Sequence, residues 1–188
     1  WDNYVSLTHA PTADKPFDRL YTIKYLGNVA EDKGIRHVNL TMEELKAAVL
    51  RQLQDGEVVW FGSDCGKFGD RDSRFWDDQS FDSLPATGLD VAMTKEEMLD
   101  CCDSAMNHAM CFTGVNIGGD GKPNRWKIEN SWGSEGLNEG YYMASDSWFD
   151  LLVYQAVVHK KYLGDKAAIL DTDPIVLDPW DPIGSLAD

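Results

Sequence analysis

Basic residues are in short supply: 17 Lys and Arg stand against 32 Asp and Glu, for a formal net charge of −15. Contact with phosphates or anionic lipid needs a basic patch, so neither nucleic acid nor a membrane surface is an expected partner. Long apolar runs are missing too. None approaches the roughly 18 residues that a membrane-crossing helix requires, and no basic-then-apolar leader opens the sequence. Cysteine is sparse. Cys65, Cys101, Cys102 and Cys111 include an adjacent pair and no Cys-x-x-Cys. That spacing suits neither a disulfide framework nor a zinc site, so free thiols in a reducing cytoplasm are expected. Asp70, Asp72, Asp77, Asp78 and Asp82 are dense enough to raise calcium. The hand-type loop fails, because Arg74 and Phe75 stand where a ligand and a glycine are needed. No metal and no cofactor are expected.

What is present is a folded globule's composition: 188 residues, 43% hydrophobic, with seven Trp, enough for one domain with a real core. Thr41-Met42-Glu43-Glu44 is a capping box, and Met42, Leu45, Val49 and Leu53 follow at helical spacing up to Gly56. The chemistry of that box also accounts for Thr41 better than the Asn39-Leu40-Thr41 glycosylation triplet does. A second capping box at Thr94 opens a helix expected to run to about Ser104, with Cys101 and Cys102 as small buried or half-buried residues on it. Residues 3–8, 19–26, 57–61, 140–144 and 153–158 read as extended, 147–151 as a helical turn, and 62–88 as a polar loop.

The chemistry concentrates in two further strands, 107–115 and 125–133, bridged by Gly118-Gly119-Asp120-Gly121. Period-two alternation puts Trp126, Ile128 and Asn130 on one face, so an amide ends an apolar row and needs a partner. His108, opening the other strand, is the candidate. A carboxamide oxygen that accepts from one imidazole nitrogen fixes the tautomer and leaves the other nitrogen for proton transfer. His9, His37 and His159 have no such surroundings.

His108-Ala109-Met110, followed by Glu129-Asn130-Ser131-Trp132-Gly133 and Gly140-Tyr141-Tyr142, resembles the His and Asn segments of papain-like cysteine peptidases. The fuller likeness is to the bleomycin hydrolase/aminopeptidase C branch. Tyr25-Leu26-Gly27-Asn28, Val59-Trp60-Phe61-Gly62, Asp146-Ser147-Trp148-Phe149 and Pro179-Trp180-Asp181-Pro182 carry it along nearly the whole chain. The resemblance implies an α+β, papain-like fold, mainly the β-barrel-like half. It implies His108 as general base and acid, Asn130 as the amide that orients it, Trp132 as a shield over their bond, and Ala109 lining the substrate pocket. Asn107 departs from the Thr usual before the His in this branch.

The family's nucleophile stretch, Cys-Gly-Ser/Ala-Cys-Trp-like, has no counterpart here, nor does the upstream Gln of the oxyanion site. Cys111 is three positions from His108, so a strand points the two side chains to opposite faces. Together with a start at Trp1 rather than Met, this reads as a C-terminal portion: residues 1–170 as the His/Asn part of the domain, 171–188 as an extended arm. In the resembled enzymes that arm lies in the cleft. Ala187 and Asp188 would then contact substrate, the terminal carboxylate holding a free peptide amine. The expected partners are peptide substrates, an N-terminal half that supplies the Cys, and sister copies in a homo-hexamer. The competing reading is a non-catalytic binding or assembly module that keeps the fold.

Overall fold

A computed structural model describes residues 2–27, 34–80, 82–135 and 137–184. In chain order come strands β1 (Tyr4–Thr8), β2 (Arg19–Ile23) and β3 (His37–Asn39), then helix α1 (Met42–Gln54), β4 (Val59–Ser63), β5 (Gly69–Asp70) and β6 (Phe75–Trp76). Two short helices, α2 (Ser83–Thr87) and α3 (Lys95–Asp100), precede β7 (His108–Ile117), β8 (Pro123–Glu129) and β9 (Tyr141–Ser145). Helix α4 (Asp146–Leu152), β10 (Val153–His159), short 3-10 turns and β11 (Ile175–Leu177) complete the described chain. The strands form one sheet in the order β11-β2-β3-β1-β10-β4-β7-β8-β9-β6-β5.

Both capping boxes form. In α1 the Thr41 hydroxyl accepts from Glu44 N at 3.3 Å, and the Glu44 carboxylate accepts from Thr41 N at 3.2 Å. Asn39 is buried, its side chain spent on the Ala10 amide and on the Ala10 and Lys15 carbonyls, so it is closed to a glycan in the folded chain. Helices α1 and α4 lie on the central strands. Between them sits an aromatic stack: Phe61 on Phe112 at 3.7 Å between centroids, and Phe149 on Trp126 at 4.4 Å, all fully buried. Each such ring contributes about 1.5–3 kcal/mol by burial alone. This stack anchors the middle of β7 and β8, the two strands whose ends carry His108 and Asn130.

Three expectations need correction: the end of α3, the burial of Cys101 and Cys102, and the loop at 62–88. Helix α3 stops at Asp100 rather than near Ser104, because Cys102 takes a left-handed backbone (φ 55°) and Asp103 N and Ser104 N both turn back to Met98 O. Cys101 and Cys102 are consequently exposed, not buried. The 62–88 stretch is not all loop. It sends β6 to the sheet edge beside β9, with Trp76 buried, and folds α2 behind an Asp82 cap. The tail from 171 onward contributes β11, paired parallel to β2, and the buried Ile183. Ala187 and Asp188 lie outside the described residues.

Candidate active site

The site is built at one end of the β4–β7–β8 ladder. His108 opens β7 opposite Ser63 of β4, and Asn130 follows the last residue of β8. Asn130 N reaches the carbonyl of Gly140 at 3.3 Å. Gly140 has φ 92°, and a side chain there would press on Gly133 O at 3.3 Å, so only glycine fits. The His108 ring comes to 2.9 Å from the carboxamide, Nε2 to Oδ1. The same oxygen accepts Ser131 N at 2.7 Å, which identifies it as the carbonyl end of the amide. An oxygen can only accept, so Nε2 carries the hydrogen and the neutral ring is the Nε2–H tautomer. Nδ1 has no partner among the described residues and is free to exchange a proton. Asn130 Nδ2 is buried without a partner.

Trp132 stacks on the His108 ring, with centroids 5.0 Å apart and planes at 24°. It is itself held edge-on by Tyr142 (5.7 Å, 86°) and lies 6.1 Å from Trp76. A hydrogen bond flanked by indole rather than water sits in a lower dielectric and is the stronger for it. The expected face-sharing of Trp126, Ile128 and Asn130 is realised: the first two are fully buried and Asn130 half-buried at the row's end.

Asn107 has a specific task. Its Nδ2 donates to Asp64 Oδ1 at 2.7 Å, and its Oδ1 accepts Cys65 N at 3.0 Å. Asp64, nearly fully buried, also accepts from Ser104 Oγ at 2.7 Å, and Tyr154 OH donates to Ser104 Oγ at 2.8 Å. Burial, helped by the nearby Asp64 and Asp103 charges and opposed by the bond to Ser104, pushes the Tyr154 phenol up to about 12. This network pins the residue before His108 to the end of β4. No local sequence signal marks Asp64, because its side-chain donors Ser104 and Asn107 lie forty or more positions further along the chain.

Ala109 is partly buried opposite Gly62, on the other side of the β7 pleat from His108. Cys111 lies opposite Trp60 and Glu129 on that same outer side. Burial and Glu129 push its thiol up, and burial with Asp64 does so for Cys65. Both are held as thiols, away from the thiolate that nucleophilic attack requires. The other histidines have structural contacts: His9 to Leu40 O, His37 to Ser6 Oγ, and His159 accepting Lys161 N. A concavity of about 820 Å³ over Arg125, Lys127 and Tyr141 contains neither His108 nor Asn130. Beside Trp132 is a small hollow of about 90 Å³ lined by Cys65, Gly66, Gly69, Asp70, Arg71 and Trp76. Among the described residues no three His, Cys, Asp or Glu side chains are grouped to hold a metal ion, and no helix is long and apolar enough to cross a membrane.

Comparison with known proteins gives concordant results. The model of the Peptidase C1-like family matches residues 1–184. Aminopeptidase C of Listeria monocytogenes serovar 1/2a is 46% identical over 186 residues, 98% of this chain and 42% of that protein. Aminopeptidase C of Lactobacillus delbrueckii subsp. lactis is 45% identical over 193 residues, 100% of this chain and 43% of that protein. The crystal structure of PepW from Lactobacillus rhamnosis HN001 superposes with a TM-score of 0.93 at 47% identity, over 99% of this chain and 42% of that one. The chain therefore spans well under half the length of the relatives it matches. The expected α+β fold, with one large sheet and few helices, is the one observed.

Proposed function

The chain belongs to the Peptidase C1-like family, and from that premise we propose that it is the His- and Asn-bearing portion of a thiol aminopeptidase. The single observation that carries the reading is the 2.9 Å contact from His108 Nε2 to Asn130 Oδ1 under the Trp132 ring. It leaves Nδ1 as the one nitrogen available for proton transfer, and an imidazole so oriented is what a cysteine nucleophile needs beside it.

In the proposed reaction the cysteine comes from residues outside this chain and rests as thiolate beside the His108 imidazolium. Thiolate sulfur attacks the carbonyl carbon of the peptide bond. As the C–N bond breaks, His108 Nδ1 gives its proton to the departing amine, and a thioester remains. Water then adds to the thioester carbonyl and gives a proton to Nδ1. The C–S bond breaks, the carboxylic acid leaves, and thiolate and imidazolium are restored. Asn130 stabilises the imidazolium at Nε2 throughout, its oxygen fixed by Ser131 N.

Ala187 and Asp188 are proposed to reach the cleft and take the substrate's free amine, on the strength of the family likeness. Peptides are the proposed substrates, a homo-hexamer the proposed assembly, and the cytoplasm the proposed location. The four free cysteines, two of them exposed, fit a reducing compartment. The test is turnover of an aminoacyl p-nitroanilide by the full-length protein, with and without iodoacetamide. Thiol-dependent turnover abolished in His108→Ala is expected. An unchanged rate in that variant, or no thiol-dependent turnover at all, leaves the binding-module reading standing instead.

A further inference from the structure

One cation near the site has, among the described residues, only an aromatic ring as partner. Arg71 places its guanidinium carbon 4.8 Å from the centre of the Trp132 ring, and Trp132 carries His108 on its ring at 5.0 Å. Arg71 is exposed and, among the described residues, forms no ion pair and no hydrogen bond. Its neighbour in the hollow, Asp70, is turned to local use: its Oδ1 accepts Asp72 N at 3.0 Å. The other arginine close by, Arg74, is buried and donates to Glu135 O. In a chain of net charge −15, a lone guanidinium one indole away from the catalytic imidazole needs a reason.

We propose that Arg71 is a specificity-determining subsite for a carboxylate carried by the departing part of the peptide. The proposal rests on His108 Nδ1 being the atom that protonates the leaving amine. That atom must lie within about 3 Å of the departing nitrogen at transfer. The residue bearing that nitrogen therefore lies alongside His108, with Arg71 one indole away across Trp132 and within reach of a group extending from that residue. A guanidinium held against an aromatic ring keeps its N–H groups available, and those suit bidentate capture of a carboxylate. Two sources supply that group on a departing residue: its own α-carboxylate, when it ends the peptide, and an Asp or Glu side chain. A half-wet contact of this kind shifts preference by about five- to tenfold rather than by orders of magnitude.

The experiment uses the full-length enzyme and its Arg71→Gln and Arg71→Lys variants in two arms. The first compares Leu-Ala with Leu-Ala-amide, and the second Leu-Asp-amide with Leu-Asn-amide. The native enzyme is expected to prefer the carboxylate member in at least one arm. Arg71→Gln should reduce that ratio of kcat/KM about five- to tenfold, mainly through KM, and Arg71→Lys should restore part of it. Whichever arm responds identifies the source of the carboxylate. A ratio that moves less than twofold in both arms overturns the subsite. The underlying reading is separated by His108→Ala: if that variant is inactive while the ratios stay put, only the subsite is lost, and if it still turns over, the base assignment fails with it.

Discussion

Removing the Asn130 amide is the sharpest perturbation of the proposed machinery. In Asn130→Ala the Nε2–H of His108 loses its acceptor at 2.9 Å, and the buried Nδ2 that has no partner disappears at the same time. Deleting that idle donor costs nothing, so the loss falls on the imidazolium. A hydrogen bond to a charged group contributes about 1.5–3 kcal/mol, and each 1.36 kcal/mol is a decade in rate. The expected fall in kcat/KM is therefore about ten- to a hundred-fold. Trp132 acts through the same bond by keeping water off it, so the two effects should not add. Trp132→Ala alone should lower kcat/KM by about three- to tenfold, yet change it less than twofold in the Asn130→Ala background. The assay is turnover of an aminoacyl p-nitroanilide by the full-length enzyme, with circular dichroism and a melting curve as controls for folding. A loss below threefold in Asn130→Ala would refute the orienting role. Fully additive losses would refute the shielding argument while leaving the hydrogen bond intact.

Three further outcomes concern stability. Burial holds the His37 imidazole at about 4, against an ordinary 6.5, and burial with help from the Lys95 charge does the same for His9. Both are bases depressed by folding, so the stability they confer is complete above pH 6.5 and lost as pH falls toward 4. For His37 alone this amounts to about 3 kcal/mol. Urea unfolding of His37→Gln should show a visibly flatter pH dependence between pH 7 and 4.5 than the native chain, and an identical slope would count against this. Lys95 is buried with Nζ on the Val153 carbonyl at 2.7 Å, and burial holds its ammonium well below the usual lysine range. The cost of burying that charge is largest below its depressed titration range and fades as pH rises toward 10.5, so Lys95→Met should raise Tm by more at pH 7 than at pH 10. Asp64→Ala strands Asn107 Nδ2 and Ser104 Oγ together. A loss of about 2–4 kcal/mol is expected, read as a fall in Tm of about 5–15 °C; a fall under 2 °C would argue against the network.

Much of this protein was legible along the chain because the signals are local. A capping box is settled within four residues, so Thr41 and Thr94 announced their helices correctly. Alternation with period two put Trp126 and Ile128 inward and left Asn130 at the row's end, and the pairing with His108 needed only that both stand at the same end of adjacent strands. What failed was equally physical. Helix α3 is cut short because Ser104 is drawn to Asp64, forty positions away, a pull that helix propensity does not encode. The 62–88 stretch looked like loop because two-residue strands such as β5 and β6 carry no periodicity, and they join the sheet only through the pairing of β6 with β9.

The sequence by itself therefore determined that the His108 imidazole and the Asn130 amide meet, through the strand period and the likeness of the motifs that carry them. The likeness also named the indole over the imidazole, while tertiary structure alone decided the rest of the surroundings: the Asp64 carboxylate bonded to Asn107, and Arg71 against Trp132. Those contacts join residues tens of positions apart. Their strength comes from burial and mutual orientation, which exist only once the sheet has closed around them.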